Sequence, residues 1–70
     1  MNPYSRLVLH KTVLVNLDTG RAFRGALLKA TSTLIQLGNA ELIEPGSEPM
    51  SVPGTVILER ARVEFVQVVN

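Results

Sequence analysis

Two blocks of strand-type sequence, Val13–Ala40 (VLVNLDTGRAFRGALLKATSTLIQLGNA) and Gly54–Val69 (GTVILERARVEFVQVV), commit this chain to a sheet. Both are cut into short runs by turn-forming residues. Within the runs apolar residues alternate with others, as they do in strands that bury one face. In Thr12–Leu17, Val13, Val15 and Leu17 fall on one face, Leu14 and Asn16 on the other. Asp18-Thr19-Gly20 reads as a hairpin turn, with Gly20 free to adopt a positive φ and Asp18 able to bond the backbone ahead of it.

Arg21–Ala30 follows as a second strand, with Phe23 and Leu27 on one face and Gly25 between them. A glycine inside a strand marks a bend, a bulge or a close backbone approach, and a small barrel needs such a bend to wrap its sheet. Gly25 is therefore assigned as a structural bend. Ala30–Thr33 is a polar turn, and Leu34–Ile43 is a third strand interrupted at Gly38-Asn39. Glu44–Pro53 holds three prolines and one glycine in ten residues. Proline cannot donate to a ladder, so the segment is predicted to be a rigid, exposed loop, with Met50 and Val52 folding back onto the body. Gly54–Ala61 is predicted as strand four and Val63–Val69 as strand five, joined by a tight link at Arg60-Ala61-Arg62. The fold class is all-β, a small, strongly bent, five-stranded antiparallel barrel. Residues 1–11 form a leader in which Asn2 and Pro3 suit a helix start and Tyr4, Leu7 and Val8 fall at helical spacing, so a short N-terminal helix is compatible.

At 70 residues the chain is one small domain; such a chain buries only about 60% of its unfolded surface, so it needs a staple. It has no cysteine and one histidine, His10, which rules out disulfides and thiolate or His-rich metal sites. Oligomerisation remains. Hydrophobic residues make up 46% of the chain and aromatics only 4%, so some of this aliphatic surface is expected between subunits. The fifth strand is apolar on both faces, with Val63, Phe65 and Val69 alternating with Glu64, Val66 and Val68, and left bare it would be an aggregation hazard. Val56, Leu58, Val63, Phe65, Val66 and Val68 are accordingly assigned to an oligomer interface. No run approaches the roughly 20 apolar residues of a membrane helix, nothing resembles a signal peptide, and cytoplasm is the expected compartment.

The order of these pieces resembles the two-part signature of Sm-like (LSm) proteins. Asp18-Thr19-Gly20 is similar to the first turn, Phe23-Arg24-Gly25 to its aromatic-x-Gly element, Leu34–Ala40 to the third strand with its Asn-Ala ending, and Leu58–Val63 to the second motif. The resemblance divides the chain into a leader (1–11), a first motif (12–43), a Pro-rich loop (44–53) and a second motif (54–70). It implies a homo-hexameric or homo-heptameric ring, closed by strand four against strand five of the neighbour, that binds single-stranded RNA. The chain departs from the family at the RNA contacts. The Asp and Asn usual between strands two and three are replaced by Thr31-Ser32-Thr33, and the Arg-Gly of the second motif by Glu59-Arg60-Ala61-Arg62. The aromatic stacking residue of the first loop is not evident either. The Pro-rich loop and the Val-Gln-Val-Val ending are also similar to small proteins of actinobacterial phages.

The net charge of +1 gives no global attraction to nucleic acid, so any such site must be a local patch repeated by symmetry. Arg60 and Arg62 are the candidates for gripping phosphates or bases, with the hydroxyls of Thr31, Ser32 and Thr33 nearby. The plainer alternative pairs the two arginines with Glu59 and Glu64 on a solvated surface. Strand alternation separates Arg24 from Arg21 and Lys29, so no continuous basic face is expected there. His10 lacks a nucleophile beside it, and the turn position of Asp18 accounts for that residue. No catalytic constellation, phosphate loop, metal spacing or cofactor motif is present. The sequence thus reads as a non-catalytic, ring-forming RNA-binding protein. The alternative is a structural or protein-interaction ring, such as a phage accessory or virion component, that binds no nucleic acid.

Overall fold

The computed structural model describes residues 9–69, so residues 1–8 of the leader, on which the expected short helix falls, lie outside the described residues. Six antiparallel strands form one sheet: β1 (Thr12–Leu17), β2 (Ala22–Ala30), β3 (Leu34–Ile43), β4 (Met50–Val52), β5 (Val56–Glu59) and β6 (Val63–Val68). A single 3-10 turn, Arg60–Arg62, joins β5 to β6. The strand order is β4-β3-β2-β1-β6, with β5 also paired to β3.

The five-strand expectation thus becomes six. The predicted fourth strand is shorter than Gly54–Ala61, and the Pro-rich loop supplies a strand of its own. The reason is the length of β3, which takes two partners in succession. Its first part pairs with β5, from Leu34 opposite Glu59 to Leu37 opposite Val56. Its second part pairs with β4, from Ala40 opposite Val52 to Leu42 opposite Met50. Pro49 and Pro53 bracket β4, and their missing N–H groups limit it to three residues.

The alternation of β1 places Val13 and Val15 in the core with no exposure, together with Leu27, Ala30, Ile35, Leu37, Ala40 and Leu58. Full burial of an aliphatic side chain is worth ~1.5–3 kcal/mol relative to leaving it in water. Leu9, Leu17, Phe23, Val56, Val63 and Val66 pack around this cluster.

A crease crosses the sheet. On β2 the register with β3 shifts between Arg24 and Ala26, at Gly25. On β3 Asn39 adopts a φ of 49°, and between β4 and β5 Gly54 has a φ of 83°. A Cβ added at Gly25 would stand 2.8 Å from the Gly38 carbonyl oxygen and 3.1 Å from the Ala40 Cα. Only a residue without a side chain lets β2 and β3 approach this closely, which gives the bend assigned to Gly25 its physical cause.

The last two strands do not pair with each other. β5 is paired to β3 and β6 to β1, so each keeps one unpaired edge. The residues assigned to a partner surface divide unevenly along these edges. On β5 the parity is opposite to that expected: Leu58 is 9% exposed and belongs to the chain's own core, and Val56 packs beside it, whereas Ile57 points out at 55% exposure. On β6 a bulge intervenes, because Leu17 faces Val63 while Asn16 faces Phe65, leaving Glu64 as the extra residue. The bulge reverses the alternation. Val63 and Val66, rather than Val63 and Phe65, turn toward the core, and Phe65 is 50% exposed. Phe65, Val68 and Ile57 are the apolar side chains exposed on these two strands.

Candidate nucleic-acid interface

The turn at residues 31–33 is built around one hydroxyl. Thr31 Oγ1 accepts the N–H of Leu34 at 2.9 Å and that of Thr33 at 3.2 Å, while the Thr31 N–H donates to the Leu34 carbonyl at 2.8 Å. Such side-chain-to-backbone bonds are why threonine favours turns. With Thr31 occupied in this way, the hydroxyls offered to solvent are those of Ser32 and Thr33, both exposed.

The 3-10 turn is fastened against this loop from the other side. The Arg60 N–H donates to the Thr33 carbonyl at 2.8 Å, and Arg60 Nη1 donates to the Thr31 carbonyl at 2.8 Å. The half-buried guanidinium is therefore oriented by a neutral oxygen, and among the described residues it makes no salt bridge. Lys29, one turn-length back on β2, is exposed and lies opposite Gln36. The loop and the arginine expected to cooperate are thus adjacent, whereas Lys29 pairs with Gln36, which lies between buried Ile35 and Leu37, and so faces away from the core side on which Arg60 lies.

Arg62 is held elsewhere. Its Nε donates to both carboxylate oxygens of Asp18, at 3.1 and 3.2 Å, and the Asp18 N–H donates to the Arg62 carbonyl at 2.9 Å. It thus pairs with neither Glu59 nor Glu64. Asp18 does more than shape its turn: it ties the β1–β2 turn to the 3-10 turn. Exposed pairs of this kind are worth about 0–1 kcal/mol, so the pair orients Arg62 more than it stabilises the fold. No sequence signal pointed to it, since the partners stand 44 positions apart.

The two arginines on or beside β2, Arg21 and Arg24, are neutralised by carboxylates on or beside β3. Arg24 pairs with Glu41, its direct cross-strand partner, and Arg21 Nε lies 3.0 Å from Glu44. Behind the loop end, a cavity of about 350 Å³ is lined by Val13, Val15, Leu27 and Phe65, with Arg60 and Glu64 among its polar lining. Among the described residues no group of His, Cys, Asp or Glu is placed to hold a metal ion, and no helix is long and apolar enough to cross a membrane.

No protein-family model matches the sequence, and no curated protein sequence matches it. The folded chain does match solved structures. A Pyrococcus abyssii Sm protein in complex with a uridine heptamer is 26% identical, over 99% of this chain and 100% of that one, with a TM-score of 0.84. A heptameric archaeal Sm protein is also 26% identical over the same shares, with a TM-score of 0.87. The fold is that of the Sm proteins. The P. aerophilum SmAP1 heptamer adds a third Sm example, at 26% identity over 96% of this chain and 89% of that one, with a TM-score of 0.84. A chain of the NatC complex bound to CoA shares the Sm fold at 22% identity, over 97% of this chain and 86% of that one, with a TM-score of 0.80. On this Sm fold the unpaired edges of β5 and β6 flank the 3-10 turn that carries Arg60.

Proposed function

We propose that this chain is a divergent Sm-like protein that assembles into a homo-hexameric or homo-heptameric ring and binds single-stranded RNA without catalysing a reaction. The observation that carries the RNA reading is Arg60, whose guanidinium is aimed by the Thr31 carbonyl beside the exposed Ser32 and Thr33 hydroxyls and makes no salt bridge among the described residues. A planar guanidinium held in this way can clamp a phosphate or stack on a base. The likeness to an Sm protein solved with a uridine heptamer supports the same reading.

Assembly is supported by the unpaired edges of β5 and β6 and by the exposed Ile57, Phe65 and Val68 along them. Pairing β5 of one copy with β6 of the next satisfies both edges and buries these side chains. Each added subunit then repeats Arg60 and the hydroxyl turn, so a cation recurs around one rim although the net charge is only +1 per chain. The place of action in this reading is the cytoplasm, the host's if the chain is phage-encoded.

The second reading, a ring that serves protein partners only, is favoured by β4, a three-residue edge strand whose Met50 is 59% exposed beside the Pro-rich loop. One experiment separates the two. Native mass spectrometry gives the ring mass, and fluorescence anisotropy with a labelled oligouridine gives the affinity. A ring that binds the oligonucleotide, and loses it on Arg60→Ala with its mass unchanged, supports the first reading. A ring with no affinity at low salt supports the second, and a monomer overturns both.

A further inference from the structure

The two open edges present their hydrogen-bonding groups in a definite phase. In an antiparallel pair, the residues that bond to a given partner strand alternate with residues that do not. The Arg60 N–H donates to the Thr33 carbonyl, in step with Leu58 opposite Ile35 and Val56 opposite Leu37. Ile57 and Glu59 therefore turn their N–H and C=O groups away from β3, toward the open edge of β5. On β6 the Val69 N–H donates to the Thr12 carbonyl, in step with Gln67 opposite Leu14 and Phe65 opposite Asn16. Val66 and Val68 therefore turn theirs away from β1.

The side chains at these positions lie on opposite faces of the sheet. Val66 and Val68 stand opposite Val15 and Val13, which are fully buried, so both point to the core face. Val68 is nonetheless 45% exposed, because the core face lies open at this edge. Ile57 stands opposite Gln36, which lies between buried Ile35 and Leu37, so it points to the outer face. Two antiparallel strands bond where the groups turned to the shared edge come opposite each other, and such partners carry their side chains on one face. When β5 of one copy meets β6 of another, Ile57 thus joins the face of Val66. The outer face of one sheet runs into the core face of the next.

The core face has room there. The cavity of about 350 Å³ is lined by Val13, Val15, Val63 and Val66. We infer that the neighbour's Ile57 packs into this cavity beside Val66, while Phe65, opposite the neighbour's Leu58 in the same register, packs against the neighbour's core. Each copy completes the core of the next, and the two exposed side chains do not meet each other. This rests on the assembly reading above and names the face and register of its contact. A slip of one residue would turn the edge groups away from each other. Glu59 comes opposite Glu64 in this register, and both are exposed, where charges interact weakly.

The chain has no cysteine of its own, so engineered pairs report this contact. Ile57→Cys with Val66→Cys sets two Cα atoms at the ~5.5 Å of a hydrogen-bonded pair, within the span of a disulfide. Thr55→Cys with Val68→Cys samples the same register at two exposed positions, and so keeps the test valid where a cysteine at Val66 disturbs packing. Ile57→Cys with Gln67→Cys samples the opposite face. After air oxidation with a copper catalyst, a denaturing gel without reductant should show a ladder for the first two pairs, with rungs one 7.6 kDa chain apart. The Gln67 pair should run as a monomer. A ladder from the Gln67 pair, or none from either of the others while native mass spectrometry shows the ring, overturns the inference and leaves the assembly reading intact. A monomeric unmodified protein overturns both.

Discussion

The two ends of the β2–β3 hairpin carry similar residues to opposite effect. On one side of the crease, Arg21 and Arg24 meet Glu44 and Glu41 across the strands. On the other, Lys29 lies opposite an uncharged glutamine and Arg60 rests on a backbone carbonyl. A chain that is nearly neutral overall is therefore uneven in detail. What a cation can do for a ligand is decided by its cross-strand neighbour, and an antiparallel register sets that neighbour residue by residue. Arg62 shows the same rule on a third pair of elements, since Asp18 from another turn occupies it.

The crease that separates the two ends is the most exposed to disruption. Gly25→Val would drive a branched side chain into the Gly38 carbonyl and Ala40, and overpacking of this kind costs about 2–3 kcal/mol. Urea denaturation should show that loss, and an unchanged midpoint would mean that the two strands do not approach as closely as described. Phe65→Asp leaves both ends of the hairpin untouched and strikes the open edge of β6. Because Phe65 is half exposed in the single chain, the circular dichroism spectrum should keep its strand signature while native mass spectrometry shows the ring mass lost. A variant that still forms rings would remove β6 from the interface.

The next two changes address the hairpin ends directly. Arg60→Ala at the uncompensated end should weaken oligonucleotide binding about tenfold, near the 1.4 kcal/mol that such a factor represents. Its loss in stability should stay near the ~1 kcal/mol of one hydrogen bond. Arg24→Ala at the compensated end should change affinity less than about twofold, since its charge is already answered. Equal effects from the two variants would abolish the distinction between the ends. The smallest effect is expected from Asp18→Asn. It should cost under about 1 kcal/mol and, by releasing Arg62, tighten binding at low salt; a titration that does not move would show that Arg62 lies out of the ligand's reach.

Parts of this arrangement were legible in the residues themselves. The inward set Val13, Val15 and Leu17 follows from strict alternation, and the hairpin at Asp18–Gly20 from turn chemistry. Gly25 stood out as a bend because a glycine between Phe23 and Leu27 has no packing role of its own. The missed features lacked a local signal. β4 is too short to show a period, and it pairs only because β3 outruns β5. The bulge at Glu64 involves no glycine, so nothing warned that the parity of β6 would reverse and turn Val66, assigned to the interface together with Phe65, toward the core. On β5 both Val56 and Ile57 are β-branched and apolar, and composition alone could not say which of them faces the core. At the candidate site, the closeness of Arg60 to the 31–33 turn was anticipated, whereas the capture of Arg62 by Asp18 was not.

The sequence by itself determined that this chain would be an antiparallel sheet bent at glycines, with an aliphatic core and a hydroxyl-rich turn near a pair of arginines. Those properties follow from periodicity, backbone freedom and side-chain type, all of which act within a few residues. Only the tertiary structure decided which glycines line up into one crease, which strands keep open edges, and which of two arginines two residues apart remains available to a ligand. These outcomes depend on register and on contacts between residues far apart in the chain, where a shift of one residue exchanges an inward side chain for an outward one.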